Sequence, residues 1–327
     1  MVDKKKVVYY NMKGNLDYER ELLNKWNVND LDLTEVAGND LLEDVKDAES
    51  LTLEYTHVSG DLLKSLTNLK IIALQSIGSN EIDIKTADEE GIYVTNSPGF
   101  CAYEVASHVM ALILDISRKI SFYNKSVKAG EWKPFANGEL QSLKGQTVGL
   151  VSLGSIPQAL IPMLKGFDIN VIFYSPSKTD EDAKSFGITR CESLQALLEQ
   201  ADIVSLHTPL LPSTKNMMNE TTFAQMKDGA VLINTARGDL IDENALIESL
   251  KSGKISAAGL DVLVDEHNHD SELIEMDNVT ITPHVGFLSK QALLKSREIA
   301  LEQIVLRLSK NSKPSCSVNQ NIQKVRT

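Results

Sequence analysis

Short apolar runs alternate with helical stretches along most of the chain, and this alternation constrains the fold more than any other sequence feature. In the first part of the chain the predicted strands cover residues 6–10, 51–55, 70–74 and 92–95, with helical patterns between them. Strands that alternate with helices predict βαβ units and a parallel sheet. We therefore expect an α/β fold.

A second series of strands begins at residue 147, and helical patterns again lie between most of them. The predicted strands of this series cover residues 147–153, 170–174, 203–207, 230–234, 257–263 and 279–282. About six strands with intervening helices is the number found in a complete dinucleotide-binding domain. Because the first series contains no glycine-rich phosphate loop, we expect only the second to bind a nucleotide.

Two helices flank this second series. Between the two series, apolar residues recur at helical spacing along one stripe, at Val105, Val109, Leu112, Ile113, Ile116 and Ile120. This stripe could pack on a sheet or form part of a domain or dimer boundary, and the residues after it, 125–145, are polar and irregular. A helix of roughly twenty residues is predicted after residue 289, and the polar residues 312–327 are expected to be loosely packed.

Length, charge and cysteine content limit the class of protein. A chain of 327 residues predicts two domains, and its net charge of −12 argues against nucleic acid or an anionic membrane as a partner. The three cysteines are far apart and show no metal-ligand spacing, which disfavours a disulfide framework and a structural zinc site. Because no stretch is long enough for a signal peptide or a membrane span, we expect a cytoplasmic protein.

The first strand of the second series runs into a loop that departs from the dinucleotide-binding pattern Gly-x-Gly-x-x-Gly. Ser152 occupies the first glycine position, Gly154 the second and Pro157 the third. The missing side chain of Gly154 would let the backbone approach a pyrophosphate, whereas Ser152 must accept the tight turn. Pro157 fits a first helical turn, and Pro162 should kink or shorten the helix. An ordinary strand-turn-helix is an equal alternative, and the changes would weaken or reshape cofactor binding.

The next strand ends in Ser175-Pro176-Ser177-Lys178, where NAD-preferring sites place an acidic residue. No carboxylate at this strand end would repel a 2′-phosphate. Ser175, Ser177 and Lys178 offer two hydroxyls and an ammonium group to bind one. We therefore favour NADP(H) over NAD(H) as the cofactor. The alternative is that Ser-Pro-Ser is simply a polar turn.

Three ionisable residues, Arg237, Glu266 and His284, each follow a predicted strand of the second series. In open α/β sheets, ligands bind beyond the carboxyl ends of the strands, and a guanidinium there suits a carboxylate. Each residue also has an ordinary alternative, as a surface arginine, a solvated glutamate or a core histidine. His267 and His269 lie in the same acidic loop as Glu266, but a solvated loop explains them, and we expect no metal.

Taken together, these residues resemble the D-isomer-specific 2-hydroxyacid dehydrogenases. The resemblance runs through nearly the whole chain, in residues 91–107, in HTPLLPSTKNMMNE, and in INTARG, GLDV and TPH. It implies two Rossmann-like or flavodoxin-like lobes with parallel sheets, the nucleotide-binding lobe (101–287) inserted into the substrate-binding lobe (1–100 and 288–327). It also implies a homodimer, in which the helix from about Val105 takes part.

The resemblance also implies an activity and a set of roles. His284 would exchange a proton with the substrate C2 oxygen, Glu266 would hold the imidazole, and Arg237 would bind the substrate carboxylate and polarise the carbonyl. Other residues carried over are Ile77 and Gly78 for the substrate carboxylate, His207, Thr235, Ala236 and Asp261 for the nicotinamide and ribose, and Ser155 and Ile156 for the cofactor phosphates. The expected activity is reversible NAD(P)-dependent reduction of a small 2-oxo acid to a D-2-hydroxy acid. The alternative is a nucleotide-sensing binding or regulatory protein with weak or no turnover.

Overall fold

The protein divides into two compact units, each with its own parallel sheet. The computed structural model describes residues 4–12, 14–54, 56–136, 140–267, 270–322 and 325–326. The first unit comprises Met1–Phe100 and Ser289–Thr327, and the second comprises Cys101–Leu288. The predicted boundary between residues 100 and 101 coincides with this division, and the predicted boundary between residues 287 and 288 differs from it by one residue. The predicted α/β class, with two parallel-sheet lobes and one lobe inserted into the other, is confirmed.

The strands and helices are numbered in chain order. The strands are β1 (Lys5–Tyr10), β2 (Leu31–Val36), β3 (Ser50–Thr52), β4 (Ile71–Ala73), β5 (Tyr93–Thr95), β6 (Thr147–Val151), β7 (Asn170–Tyr174), β8 (Thr189–Arg190), β9 (Ile203–Leu206), β10 (Ala230–Asn234), β11 (Ile255–Leu260) and β12 (Val279–Ile281). The helices are α1 (Asp17–Lys25), α2 (Leu41–Val45), α3 (Gly60–Ser65), α4 (Ile84–Glu90), α5 (Ala102–Arg118), α6 (Ile120–Lys128), α7 (Ser155–Gly166), α8 (Asp180–Phe186), α9 (Leu194–Leu198), α10 (Glu220–Gln225), α11 (Glu243–Lys251) and α12 (Lys290–Ile304). A π-helical turn, Val305–Ser309, continues α12.

Each sheet has an apolar cluster on both faces. The strand order is β2-β1-β3-β4-β5 in the first unit and β12-β11-β10-β9-β6-β7-β8 in the second. Ile71 and Ile72, which are neighbours on β4, lie in different apolar clusters, as do Leu232 and Ile233 on β10. Successive strand residues point to opposite faces, so helices must cover both sides of each sheet. Because the strands of the second sheet are all parallel, their carboxyl ends meet at one edge.

Two strands were not predicted. β2 lies at the edge of its sheet and reads LDLTEV, in which Leu31 and Leu33 are buried but Asp32 and Glu35 are exposed. Its acidic residues hide the strand signal, because only one face of an edge strand needs to be apolar. β8 is only two residues long and therefore shows no periodicity, so the second sheet has seven strands instead of about six.

The helix after the first unit differs from its prediction. Val105, Val109 and Ile113 are buried as expected, but Ile120 is 57% exposed. Lys119 has a φ of 53°, which ends α5 and begins α6 in a new direction. The expectation of an irregular chain from residue 125 is therefore wrong as far as Lys128, where α6 ends.

Part of the carboxyl-terminal segment is held to the first sheet, so the prediction of loose packing is wrong around Asn319. The Asn319 side chain is buried, accepts a hydrogen bond from the Val94 amide (2.9 Å) and donates to the Ile92 carbonyl (2.8 Å). An isolated antiparallel bridge joins Ser317 to Thr95. The polar tail thereby covers an edge of the sheet that would otherwise expose its backbone groups.

Helix α12 is joined to α1 by a buried ion pair. Glu19 on α1 is fully buried, and its carboxylate accepts two hydrogen bonds from Arg297, one of them at 2.7 Å. The guanidinium also donates to the carbonyl of Asn15 and lies over the ring of Tyr18. A charge that is removed from water needs this number of partners. The ion pair therefore connects the amino-terminal and carboxyl-terminal chain segments that form the first unit.

Candidate active site

The loop after β6 forms the tight turn that the sequence requires. Ser152 has a φ of 88°, a conformation that a residue with a Cβ rarely adopts, and its amide donates to the Tyr174 carbonyl (2.7 Å). No described protein atom lies within 4 Å of a Cβ built on Gly154, so the space beside its backbone is open. Pro157, the third residue of α7, has no N–H, which leaves the amides of Ser155 and Ile156 at the helix start.

Pro162 does not shorten α7, so that alternative is wrong. The helix continues through Pro162 to Gly166. Leu160, Ile161 and Leu164 on either side of the proline are all buried in the apolar cluster of this face. The burial of these side chains offsets the loss of one backbone hydrogen bond, which is the main cost of an internal proline.

The residues after β7 form a polar surface in which cations and carboxylates are mixed. The Ser175 and Ser177 hydroxyls lie 3.3 Å apart, and the Lys178 ammonium lies 3.4 Å from the Asp182 carboxylate. No carboxylate stands at the strand end itself, but the first turn of α8 supplies one nearby. Arg190, on the unpredicted strand β8, pairs in register with Phe173 of β7, and its Nη1 lies 3.6 Å from Asp180.

The turn after β10 presents Arg237 at the carboxyl edge of the sheet. The buried side chain of Asn234 accepts from the Ala236 amide (3.0 Å) and donates to the Arg237 carbonyl (2.8 Å), which closes the turn. A Cβ on Gly238 would lie 2.0 Å from the backbone of Leu263, so only glycine lets this turn pack against the segment after β11. The partly buried Arg237 donates from Nη1 to the carbonyl of Ala236 (2.6 Å).

Two of the three predicted catalytic side chains are in direct contact. His284 Nδ1 lies 2.9 Å from Glu266 Oε2, and the two side chains are 30% and 37% exposed. The ring of Phe287 meets the imidazole edge to face, with centroids 6.2 Å apart. Within the described residues, Arg237 makes no hydrogen bond or ion pair with either residue. The structure therefore shows a histidine–carboxylate pair, with the arginine at the same sheet edge.

The backbone that carries His284 is held by Asp261. His284 has a φ of 52°, and its amide donates to the Asp261 carbonyl (2.8 Å). The Asp261 carboxylate, only 2% exposed, accepts from the amides of Val285 (2.9 Å) and Gly286 (2.8 Å). Burial raises the pKa of Asp261, but these bonds and those from His108 and Thr282 outweigh it and hold the pKa below its usual value.

Two residues beside Asp261 had no predicted role. The Thr282 hydroxyl donates to Asp261 Oδ1 (2.5 Å), and His108 Nε2 lies 2.8 Å from the same hydroxyl. His108 is on α5, far from the predicted strand ends in sequence, so no motif connected it to the site. The Thr-Pro-His motif contains Thr282, but only the folded chain shows what its hydroxyl touches.

The predicted ligands of the substrate carboxylate in the first unit lie just after β4. The carbonyls of Ile77 and Gly78 accept hydrogen bonds from the side chains of Asn96 (2.8 Å) and Ser76 (2.8 Å). Among the described residues, no protein group accepts a hydrogen bond from the amide of either residue. Both amides are therefore available as donors, which their predicted role requires.

Comparisons with known proteins agree with this architecture. The family model described as "D-isomer specific 2-hydroxyacid dehydrogenase, NAD binding domain" matches residues 110–286. A glyoxylate reductase of Thermococcus litoralis is 37% identical over 86% of this chain and 87% of its own. The chain belongs to the D-isomer-specific 2-hydroxyacid dehydrogenase family.

A longer sequence relative and a solved structure are also similar to this chain. A D-3-phosphoglycerate dehydrogenase of Methanocaldococcus jannaschii is 39% identical over 83% of this chain, which spans about half (52%) of that relative. The crystal structure of a glyoxylate reductase from Paecilomyes thermophila superposes with a TM-score of 0.87 at 25% identity, covering 96% of this chain and 98% of that one. This D-2-hydroxyacid dehydrogenase is an oxidoreductase that acts on CH–OH donors and reversibly reduces a 2-oxo acid. The comparisons give no support to a regulatory protein without turnover.

The residues of the second unit fit a nicotinamide dinucleotide. The Thr235 hydroxyl is buried and has no hydrogen-bond partner among the described residues, which is costly unless a ligand supplies one. Burial lowers the pKa of His207 to about 3, so its imidazole is neutral, and its Nε2 lies 2.9 Å from the Ser205 hydroxyl. Together with the open space at Gly154, these features suit a bound cofactor.

The described part of the chain contains neither a metal-ligand cluster nor a membrane-spanning helix. His269 lies outside the described residues, and the described part of the chain contains no cluster of three His, Cys, Asp or Glu side chains that could hold a metal. None of the described helices combines the length and apolar character needed to cross a bilayer.

Proposed function

We propose that His284 is the proton donor and acceptor at the C2 oxygen of the substrate, with Glu266 as its partner. The observation that carries this proposal is the 2.9 Å contact between His284 Nδ1 and Glu266 Oε2. A carboxylate that accepts from Nδ1 keeps the proton on that nitrogen and leaves Nε2 for exchange with the substrate. The pair sits at the carboxyl ends of β11 and β12, where ligands bind in such sheets.

Arg237 is the proposed ligand of the substrate carboxylate. Its guanidinium offers a planar set of donors that matches a carboxylate, and its charge would polarise the adjacent C2 carbonyl. Among the described residues the guanidinium makes one hydrogen bond, to the Ala236 carbonyl, which leaves other N–H groups to bind an anion. The amides of Ile77 and Gly78 are the proposed additional donors to this carboxylate.

The second unit is the proposed dinucleotide-binding lobe and the first the substrate-binding lobe. Gly154 and the amides of Ser155 and Ile156 would hold the cofactor phosphates at the start of α7. His207, Thr235, Ala236 and Asp261 are the proposed contacts of the nicotinamide and ribose. A bound reduced cofactor supplies the hydride that reaches C2, while the protein orients it and delivers the proton.

NADP(H) is the proposed preferred cofactor. The support for this proposal is that Ser175, Ser177 and Lys178 follow β7 with two hydroxyls and an ammonium group, and that Arg190 adds a second cation on the neighbouring strand. The contacts of Lys178 and Arg190 with α8 carboxylates, at 3.4 Å and 3.6 Å, are long enough that a phosphate could replace them.

A homodimer in the cytoplasm is the proposed state of the protein. Trp132 and Phe135 are 83% and 81% exposed, and Tyr103 on α5 is 68% exposed. Large aromatic residues exposed in this way mark interaction surfaces. All three cysteines, which the structure describes, are free, as in proteins of reducing compartments. Light scattering of the wild type and of a W132S/F135S variant tests the oligomeric state.

Turnover assays test the proposed reaction. Glyoxylate, hydroxypyruvate, pyruvate and bulkier 2-oxo acids are each mixed with enzyme and NADPH or NADH, and loss of the nicotinamide absorbance is followed. We expect the smallest acids to be reduced fastest. H284A and R237A should lose about a hundredfold or more in kcat/KM without unfolding. H267A, which removes an exposed histidine near Glu266, is the matched control and should keep its activity. Near-normal turnover in H284A would overturn the assignment.

A further inference from the structure

The main chain at His284 adopts a conformation that needs support from neighbouring residues. A φ of 52° lies in the left-handed region, which is disfavoured for a residue with a Cβ. The Asp261 carboxylate accepts from the amides of the next two residues, Val285 and Gly286, and so holds the turn from outside. The direction of the His284 side chain therefore depends on the position of this carboxylate.

The carboxylate of Asp261 is oriented in turn by Thr282 and His108. The Thr282 hydroxyl has one proton, and at 2.5 Å it donates that proton to Asp261 Oδ1. The same hydroxyl oxygen can then only accept from His108, so Nε2 of His108 must carry a proton. The donors form a chain with one direction, from His108 through Thr282 to Asp261. His108 Nε2 also lies 3.4 Å from Asp261 Oδ1.

Gly286 shows how closely this chain contacts the turn. A Cβ built on Gly286 would lie 2.8 Å from Asp261 Oδ2 and 3.4 Å from the ring of His108. Only a residue without a side chain lets the backbone approach both groups. The turn, the carboxylate and the imidazole of His108 are thus packed as one unit.

We propose that His108 is a positioning residue for the reaction. Through Thr282 and Asp261 it sets the backbone of the turn, and thereby the direction in which the catalytic imidazole of His284 points. This inference rests on the proposed role of His284 in proton transfer. Loss of the chain should misplace the imidazole and slow turnover, whereas Arg237, which binds the substrate carboxylate from a different turn, should be unaffected. We therefore expect kcat to fall while KM for the 2-oxo acid stays nearly constant.

The protein offers a matched pair of threonines for the test. Thr280 and Thr282 both form a hydrogen bond to a side chain of α5. The Thr280 hydroxyl donates to Asp115 Oδ2 (2.9 Å), and the Thr282 hydroxyl is bonded to His108. In the described part of the chain, the Thr280 side chain makes no hydrogen bond to the turn of His284. T282V and T280V each replace a hydroxyl by a methyl group of similar size. We expect T282V to lose roughly tenfold to a hundredfold in kcat, and T280V to change by less than twofold, even at equal melting temperatures.

Variants of His108 test the first donor directly. H108L removes the donor and should lower kcat as T282V does, whereas H108Q retains an N–H group and should recover most of the loss. In the H108L/T282V double variant the two losses should not add, because both break the same chain. If H108L does not fold, the comparison of T282V with T280V decides.

Equal kcat values for T282V and T280V at matched stability would overturn the proposal. A rise in KM for the 2-oxo acid in T282V, with kcat unchanged, would also contradict it. Failure of the proposed role of His284 gives a different result, because H284A itself would then turn over normally. The two failures are therefore distinguishable in the same assay.

Discussion

Nδ1 of His284 lies 2.9 Å from Oε2 of Glu266, so the imidazole is held by a carboxylate from the segment after another strand. In the proposed reaction, a negative charge at this distance would stabilise the positive charge that develops on the imidazole. E266Q keeps the size and an acceptor oxygen but removes the charge. We expect its kcat to fall roughly tenfold to a hundredfold in steady-state assays. E275Q, at an exposed glutamate of the same unit, should behave as wild type. Equal rates for E266Q and wild type would contradict the role.

We expect the choice between NADPH and NADH to depend on Ser175. Its side chain is 2% exposed at the end of β7, beside the Ser177 hydroxyl. A carboxylate at this position would repel a 2′-phosphate and accept from ribose hydroxyls. S175D should shift the ratio of kcat/KM values for NADPH and NADH towards NADH by about tenfold or more. R190Q should weaken the binding of NADPH but not the binding of NADH. An unchanged ratio in both variants would show that the 2′-phosphate lies elsewhere.

Ser152 holds a strained backbone conformation in the phosphate loop. Its φ of 88° costs a residue with a Cβ about 1 kcal/mol, whereas glycine adopts it freely. S152G should therefore raise the free energy of unfolding by about 1 kcal/mol, as measured by urea denaturation. S213G, at an exposed loop serine without a positive φ, is the control and should be neutral or destabilising. A loss of stability in S152G would show that no strain is stored there.

Asp261 makes stability depend on pH in the acid range. Because its pKa in the folded protein lies below the usual value of 3.8, its contribution is present above that pH and is lost as the pH falls through the lowered value. D261N should lose roughly 2 kcal/mol at neutral pH, where charged hydrogen bonds are removed. The deficit relative to wild type should shrink below about pH 4. A deficit that is independent of pH would mean that packing, and not charge, explains it.

Removal of one partner of the buried Glu19–Arg297 pair should lower the free energy of unfolding more than removal of both partners. R297M leaves the fully buried carboxylate of Glu19 without its cation, and we expect a loss of about 3–5 kcal/mol. In E19M/R297M both charges are absent, so most of that loss should be recovered. Thermal or urea unfolding of the three proteins measures this difference. Equal stability of the single and the double variant would show that the pair does not act as a unit.

The parts of the fold that were predicted correctly share a physical signal. β7 and β10 are buried on both faces, so their continuous apolar runs, NVIFY and AVLIN, stand out in the sequence. β2 was missed because an edge strand buries one face only, and its acidic residues interrupt the run. The prediction that the tail after α12 is loosely packed was wrong at Asn319. This side chain is polar, yet it is buried because it hydrogen-bonds to the backbone of Val94 in β5 and of Ile92 just before that strand.

The sequence alone determined which residues stand at the strand ends. Arg237, Glu266 and His284 each follow an apolar run, and a parallel sheet brings such positions to one edge, whereas the family resemblance implied their roles. Only the tertiary structure decided what holds them. His108 lies on a helix far along the chain from Asp261 and Thr282, and hydrogen bonds of 2.8 Å and 2.5 Å connect the three. Periodicity reports which face of an element is buried, but a hydrogen bond between distant elements depends on atomic distances that exist only after the chain has packed.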